Sequence, residues 1–319
     1  MTPGRSCPLN YRYRPSVFAR DVDLVAETVY VIGGLYGNLP ALTAIIALAA
    51  KEVVPPTLVF NGDFHWFDTD PHTFAAINAA VLEHTALRGN VETELRADAD
   101  DAGCGCAYPD YVDDADVERS NEIMRALRRT AAQFPHEIAR LAALPMHLVV
   151  QVGGQRIGIV HGDAESLAGW RFAHDSLHEP DNVAWLMDVC TSAHLAGFAS
   201  SHTCLPTFRQ FGDGKTGAFV INNGAAGMPN FGGTHYGLIS RLSNRPAPDG
   251  WSQYGRQFGA MFVDAIPVHY DQAAFKAHFL ADWPTGSPAH ISYFSRIING
   301  PAYAPPHALG LIRAASVCA

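Results

Sequence analysis

Apolar and polar positions along the chain follow two periods, and the period switches repeatedly. Thr28–Ile32 is a short β-branched and aromatic run ended by Gly33-Gly34, which predicts a buried strand. Asn38 can cap the helix that follows, and Pro40 fits its first turn, where a missing N–H costs nothing. The pattern then predicts helix over 39–52, strand over Thr57–Asn61, helix over 72–84 and strand over Thr85–Arg88. This strand–loop–helix alternation predicts an α/β sandwich with ligands at strand ends. Further along, a helix is expected over 117–142, with Ile123, Ala126, Leu127 and Ala131 on roughly one face. His147–Val152 and Arg156–His161 predict a hairpin around Gly153-Gly154. Thr207–Phe211 and Ala218–Asn222 predict a second one through Gly212-Asp213-Gly214. Gly259–Tyr270 ends in a strand pattern, and Gln272–Leu280 reads as a helix.

Three segments carry no such period. Residues 1–26 read as an N-terminal arm, and residues 283–319, rich in Pro, Gly and Ser, as a C-terminal extension packed on the core. Between them, 27–282 forms the main domain. Inside it, residues 92–118 are rich in Asp with Gly, Cys, Pro and Tyr, and a loop this long in a compact domain is a lid or a disordered segment. The acidic run Asp98–Asp101 reads as a solvated loop, and Lys215-Thr216 as part of a hairpin turn.

Composition narrows the function classes. At 319 residues, 48% hydrophobic and 17% charged, the chain has ample material for a core. A net charge of -9 argues against a general nucleic-acid surface. The first twenty residues hold no apolar stretch of the kind a secretory signal needs. The longest apolar run, Ala41–Ala50, is too short to span a bilayer, so a cytoplasmic protein is expected. Six cysteines are too few for a disulfide scaffold. The tight pair Cys104-Gly105-Cys106 reads either as two free thiols or as thiolate donors to a metal.

The chemistry is carried by four blocks: Phe60-Asn61-Gly62-Asp63, Arg88-Gly89-Asn90, Val160-His161-Gly162-Asp163 and Ser201-His202-Thr203-Cys204. Each sets a potential ligand beside a small residue after a strand pattern. Asp63 is placed for a bridging carboxylate, and Asn90 offers an amide oxygen suited to a hard cation. His161 and His202 can each offer a neutral imidazole nitrogen.

In this order the blocks resemble the metallophosphoesterase (calcineurin-like phosphoesterase) superfamily. Ile221-Asn222-Asn223-Gly224-Ala225 resembles its closing strand-turn, and Val263–Asp271 its final strand, so the likeness covers about residues 27–280. It implies a four-layer sandwich of two mixed β-sheets flanked by helices. It also implies hydrolysis of a phosphate mono- or diester in a small phosphorylated substrate, by water activated on a divalent ion (Mn, Fe or Zn). In the superfamily's two-ion arrangement, metals about 3.5–4 Å apart clamp the attacking and leaving oxygens.

The departures are as informative as the matches. Where the superfamily opens with Asp-x-His, this chain has Gly34-Leu35-Tyr36, followed by Gly37-Asn38-Leu39-Pro40. The last histidine of its Gly-His-x-His block falls on Cys204, and its acid histidine on Val91. By resemblance, the first metal keeps only Asp63, while the second keeps Asp63, Asn90, His161 and His202. Cys204, joined by Cys104 and Cys106, would rebuild the first site as a thiolate site suited to zinc, and His65 and Asp163 are further donors. Alternatively, Tyr36 fills the vacated volume with its ring. Asp63 and Asn90 are the expected catalytic residues, with Asn38 or Arg88 steadying the phosphate. The competing reading is a catalytically degenerate member that acts as a metal-binding, regulatory or interaction module.

Overall fold

The computed structural model describes residues 2–96, 102–212 and 217–313. Asp98–Asp101, the tip of the second hairpin and Lys215-Thr216 lie outside the described residues. Two six-stranded sheets face one another. One contains β11 (Tyr254–Phe258), β12 (Met261–Val268), β10 (Gly237–Ser243), β2 (Thr28–Ile32), β3 (Thr57–Asn61) and β4 (Thr85–Leu87), in that spatial order. The other runs β1 (Leu24–Val25), β5 (His147–Val152), β6 (Gln155–Val160), β7 (Gly197–Ser200), β9 (Ala218–Asn222) and β8 (Thr207–Phe211). Both sheets are mixed: β2–β3–β4 and β6–β7–β9 are parallel, and their outer partners include antiparallel pairs.

The two-residue period of a strand sorts these side chains between layers. Val29, Val31 and Val59 point into the inter-sheet core with Val150, Ile157, Ile159, Phe219 and Ile221. Their neighbours Tyr30, Ile32, Leu58 and Phe60 point the other way, beneath helices α1 (Leu39–Ala49), α2 (Pro71–Val81), α4 (Asp114–Ala131), α7 (Gln272–Asp282) and α8 (Pro288–Asn299). The second sheet's outer face is covered by α6 (Pro180–Ala193) and by Phe18 of the N-terminal segment. Helices, sheet, sheet and helix make the four layers.

Three local outcomes differ from the sequence pattern. The helix expected over 117–142 is two helices, α4 and α5 (Pro135–Ala142). Pro135 forces the preceding Phe134 out of the helical region, to φ -127° and ψ 60°. The 92–118 stretch is not an open loop. It begins inside the short α3 (Asn90–Glu94), and Ala102, Cys104, Cys106 and Val112 are buried. Within the last 37 residues, α8 is an amphipathic helix with Ser287 before Pro288 at its start and Gly300 at φ 71° beyond its end. Among the described residues, no helix is long and apolar enough to cross a membrane.

Candidate metal centre

The candidate site lies where the two sheets present the C-terminal ends of β3, β4, β6 and β7, which lead into Asp63, Asn90, His161 and His202. The turns come close enough to require glycine. A Cβ on Gly62 would lie 2.5 Å from the Gly89 nitrogen and 2.7 Å from His161 Nδ1, and one on Gly89 would lie 2.3 Å from Asp63 Oδ1. A third group ties these turns together. The buried Glu92 carboxylate accepts the N–H groups of Asp63 (2.8 Å), Phe64 (2.9 Å) and Gly89 (2.8 Å). Asp63 itself sits at φ 55°, a conformation that non-glycine residues adopt only under constraint.

The donors around the four side chains decide what they can hold. His161 Nδ1 faces the Asn61 carbonyl at 2.8 Å, so it carries the proton and leaves the Nε2 lone pair free. His202 Nε2 faces the Cys106 carbonyl at 3.0 Å, which leaves its Nδ1 lone pair free. The Asn90 amide nitrogen donates to the Cys104 carbonyl at 3.0 Å, and this orients Asn90 Oδ1 toward His161 Nε2 at 3.1 Å. His202 Nδ1 lies 3.2 Å, and Asp63 Oδ2 3.4 Å, from that same His161 nitrogen. Four buried acceptors therefore converge with no donor among them. Among the described residues, Asp63, His161 and His202 form the one His/Cys/Asp/Glu group whose ligand atoms lie within 4.8 Å of one another. A divalent cation satisfies such a set; otherwise a proton must sit on one imidazole.

The electrostatics agree. Burial opposes charge on Asp63, but His161 and His202 hold its carboxyl below the usual range. Burial also works against a charged His161, yet Asp63 prevails and raises it. His202 is pushed down to about 3, first by burial and then by repulsion from His161. The pair divides the labour: one imidazole tolerates charge and the other stays neutral.

The other half of the site is filled. Gly34 has φ 66°, and a Cβ there would lie 2.8 Å from the Tyr36 ring and 2.9 Å from its hydroxyl. The tyrosine ring thus overlies Gly34, the position at which the sequence resemblance called for an aspartate. Tyr36 OH lies 3.0 Å from Cys204 Sγ, and both residues adopt positive φ, 55° and 60°. Burial raises the Tyr36 phenol and the Cys204 thiol, so both are neutral near pH 7. Cys104, Cys106 and Cys204 do not join the three-residue group. What the 102–112 segment supplies is backbone: the Cys104 carbonyl orients Asn90, and the Cys106 carbonyl orients His202.

Several residues singled out from sequence are spent elsewhere. Asn38 caps α1 by accepting the Ala41 N–H, and it donates to the Gly227 carbonyl. Arg88 donates to the Ala142 carbonyl and does not line the site pocket. His65 is enclosed by Asp68 and Asn78 and stacks on Phe74. Asp163 accepts the N–H groups of Glu165, Ser166 and Arg171 in its own loop. Sequence reasoning missed Arg296 on α8, which is buried and donates to the Cys204 and Pro229 carbonyls. It also missed Trp66, Tyr108, Trp170 and Tyr293, which wall a pocket of about 440 Å³, open mouth included, beside Asp63, Asn90 and His202. The Ser287-Pro288 start and the Gly300 stop would have flagged α8; nothing in the pattern flags the pocket.

Comparison of the whole fold with solved structures is decisive for architecture. A metallophosphoesterase from Sphaerobacter thermophilus superposes with a TM-score of 0.53 over 86% of this chain and 99% of that one, at 17% identity. The chain has the metallophosphoesterase fold. A hypothetical protein from Pyrococcus horikoshii has the same fold, with a TM-score of 0.57 over 86% of this chain and 98% of that one, also at 17% identity. No family model and no curated protein matches the sequence. Within the metallophosphoesterase fold, the four acceptors stand at the strand ends to which the sequence blocks assigned them, and the Gly34–Tyr36 turn lies beside them.

Proposed function

We propose that this protein is a phosphoesterase that uses one divalent ion, held by Asp63, Asn90, His161 and His202, to hydrolyse a small phosphate ester. The supporting observation is the convergence of four buried acceptors whose tautomers and amide orientation are fixed from behind by the carbonyls of Asn61, Cys106 and Cys104. A divalent ion bound there supplies Lewis acidity toward a phosphoryl oxygen and toward an attacking water. Asp63 supplies the negative charge, and Glu92 fixes its backbone and that of Gly89 in register. Tyr36 offers a neutral hydroxyl in place of a second cation, and that hydroxyl can turn its hydrogen bond from Cys204 Sγ to a substrate oxygen while keeping its proton. We assign Asn38 and Arg88 to holding their loops rather than to binding phosphate. Residues 27–282 form the hydrolase body in this reading, and 1–26 and 283–319 its flanks. A cytoplasmic setting accords with the unpaired thiols among the described residues: Cys7, Cys104, Cys106, Cys190 and Cys204.

A second reading has an observation of its own. The Tyr36 ring closes the volume above Gly34, as expected of a metal-stabilised module that no longer turns over substrate. Elemental analysis of the purified protein and of His202→Ala, with phosphodiesterase assays in Mn, separates the readings. Metal lost in the variant together with turnover supports the enzyme. Bound metal without turnover supports the module, and no metal in the wild-type protein refutes both.

A further inference from the structure

The N-terminal arm threads between two segments that stand behind the metal centre. Gly4 brackets the 102–112 segment with two main-chain bonds. Its N–H donates to the Ala102 carbonyl at 2.9 Å, and its carbonyl accepts the Tyr108 N–H at 2.9 Å. Arg5 extends the grip, donating to the Pro109 carbonyl at 2.8 Å and to the Val112 carbonyl at 2.6 Å. The Pro3 carbonyl accepts from Asn121, whose Oδ1 holds the Cys104 N–H at 2.9 Å. Farther along, the arm meets the loop that follows His161. The Tyr11 carbonyl accepts the Leu167 N–H at 3.0 Å, Arg12 pairs with Ser166 in an antiparallel bridge, and the Tyr13 hydroxyl donates to the Asp163 carbonyl at 2.6 Å.

Tyr11 joins these two segments to the ligands themselves. Its side chain is fully buried, and its hydroxyl donates to Glu94 Oε1 at 2.5 Å. Glu94 closes the helix that Asn90 opens, one turn along and on the same face. The other Glu94 oxygen accepts from Arg128 at 3.1 Å, and Arg128 also donates to the Gly103 carbonyl at 3.2 Å. Gly105 packs on the Tyr11 hydroxyl and on Glu94 Cγ with no room for a side chain. The hydroxyl is therefore wedged between α3 and the Cys104–Cys106 backbone. That backbone supplies the carbonyl that turns Asn90 and the carbonyl that orients His202, and the latter also holds the Trp170 indole N–H at 3.0 Å. A buried carboxylate in a closed network holds its partners firmly, and the outer partners of metal ligands set their aim.

We infer that Tyr11 is a positioning residue for the metal centre, so that the arm, through its hydroxyl, sets how Asn90 and His202 meet the ion; the inference rests on the single-ion reading above. A tyrosine serving only to fill space would tolerate phenylalanine with no effect on metal. The test is therefore Tyr11→Phe in the full chain, which keeps the ring and removes the bond to Glu94. Mn affinity by isothermal titration calorimetry should fall by about five-fold or more. The visible absorption of the Co-loaded variant should differ from that of the Co-loaded wild type, because ligand geometry has shifted. Phe18→Leu controls for plain destabilisation: Phe18 belongs to the same arm but packs on the outer face of the second sheet. Its melting temperature should fall while its Mn affinity stays within about two-fold of wild type. Should Tyr11→Phe fail to fold, Arg5→Ala takes its place, with Mn binding weakened by about three-fold. Unchanged Mn affinity in the folded variant used, or equal weakening in Phe18→Leu, overturns the role of Tyr11 and leaves the single-ion reading standing. A wild-type protein that binds neither Mn nor Co removes that reading and this one with it.

Discussion

Replacing Glu92 with glutamine keeps the shape of the side chain and removes the feature that makes it useful. Glu92 Oε2 accepts two N–H groups, from Asp63 and Gly89 at 2.8 Å each, and Oε1 accepts a third, from Phe64 at 2.9 Å. Only donors face it, so the ionised carboxylate is the form that fits, although burial and then Asp63 push its pKa above the ordinary value. A glutamine has one acceptor oxygen. Turned toward Asp63 and Gly89, it presents its NH₂ to the Phe64 N–H and leaves that buried donor unpaired, at about 1–3 kcal/mol. The two remaining bonds lose charge assistance, at about 1 kcal/mol each. The sum is a destabilisation of about 3–5 kcal/mol, read by urea denaturation at pH 7 as a lower midpoint with an unchanged slope. Because Asp63 and Gly89 flank the metal centre, Mn affinity measured by calorimetry on the folded variant should drop at least ten-fold. Glu92→Asp, one methylene shorter, should recover part of the affinity. A loss of stability under 1 kcal/mol, or full stability loss with unchanged Mn affinity, would refute the view that Glu92 holds the two loops in register.

Three further outcomes are expected. Gly34→Ala should cost about 2–3 kcal/mol, since it meets both positive φ and the Tyr36 ring, and pairing it with Tyr36→Ala should recover the steric share; strict additivity in the double mutant would contradict the packing described. His202, held near 3 in the folded protein, contributes stability that is complete above its unfolded value near 6.5 and is lost as pH falls from there toward 3. The stability gap between wild type and His202→Asn should therefore narrow between pH 6.5 and 4; parallel curves would mean that His202 is not buried neutral. Asn90→Asp adds a carboxylate to a set with one, so Mn should bind more tightly while the metal-free protein loses stability through repulsion from Asp63; unchanged values of both would place Asn90 outside the centre.

The strands were the most legible part of the fold. Thr28–Ile32, Thr57–Asn61, His147–Val152, Thr207–Phe211 and Ala218–Asn222 all appear with the bounds that their β-branched runs and flanking turn residues suggest. Such runs are local, and local chemistry ends them. The break at Phe134 was equally local, since Pro135 is plain in the sequence, but the apolar stripe of α4 obscured it. Residues 102–112 gave no signal because their burial follows no period: small residues and cysteines are packed by contacts distant in sequence, among them Arg128 on the Gly103 carbonyl and Asn121 on the Cys104 N–H. At the site, the four ordered blocks marked which side chains meet. That Tyr36 lies over Gly34 is one of the two readings the sequence left open, and Asn38 makes the helix cap expected of it; beyond sequence was that His65 and Asp163 turn their polar atoms to other partners. Those depend on side-chain direction after each turn, which residue identity does not specify.

One atom ties several of these threads together: the Cys106 carbonyl oxygen accepts from both the His202 ring and the Trp170 indole. No side-chain replacement at position 106 deletes it, so an alanine scan would score this position by its thiol and pass over its oxygen. Residues that set the path of the chain there, such as Gly105 at φ 68° with the Tyr11 hydroxyl 2.3 Å from where a Cβ would stand, are the places where substitutions would reach it. Constancy at such glycines, with the cysteine itself free to drift, is the pattern that selection on this oxygen would leave among descendants of the chain.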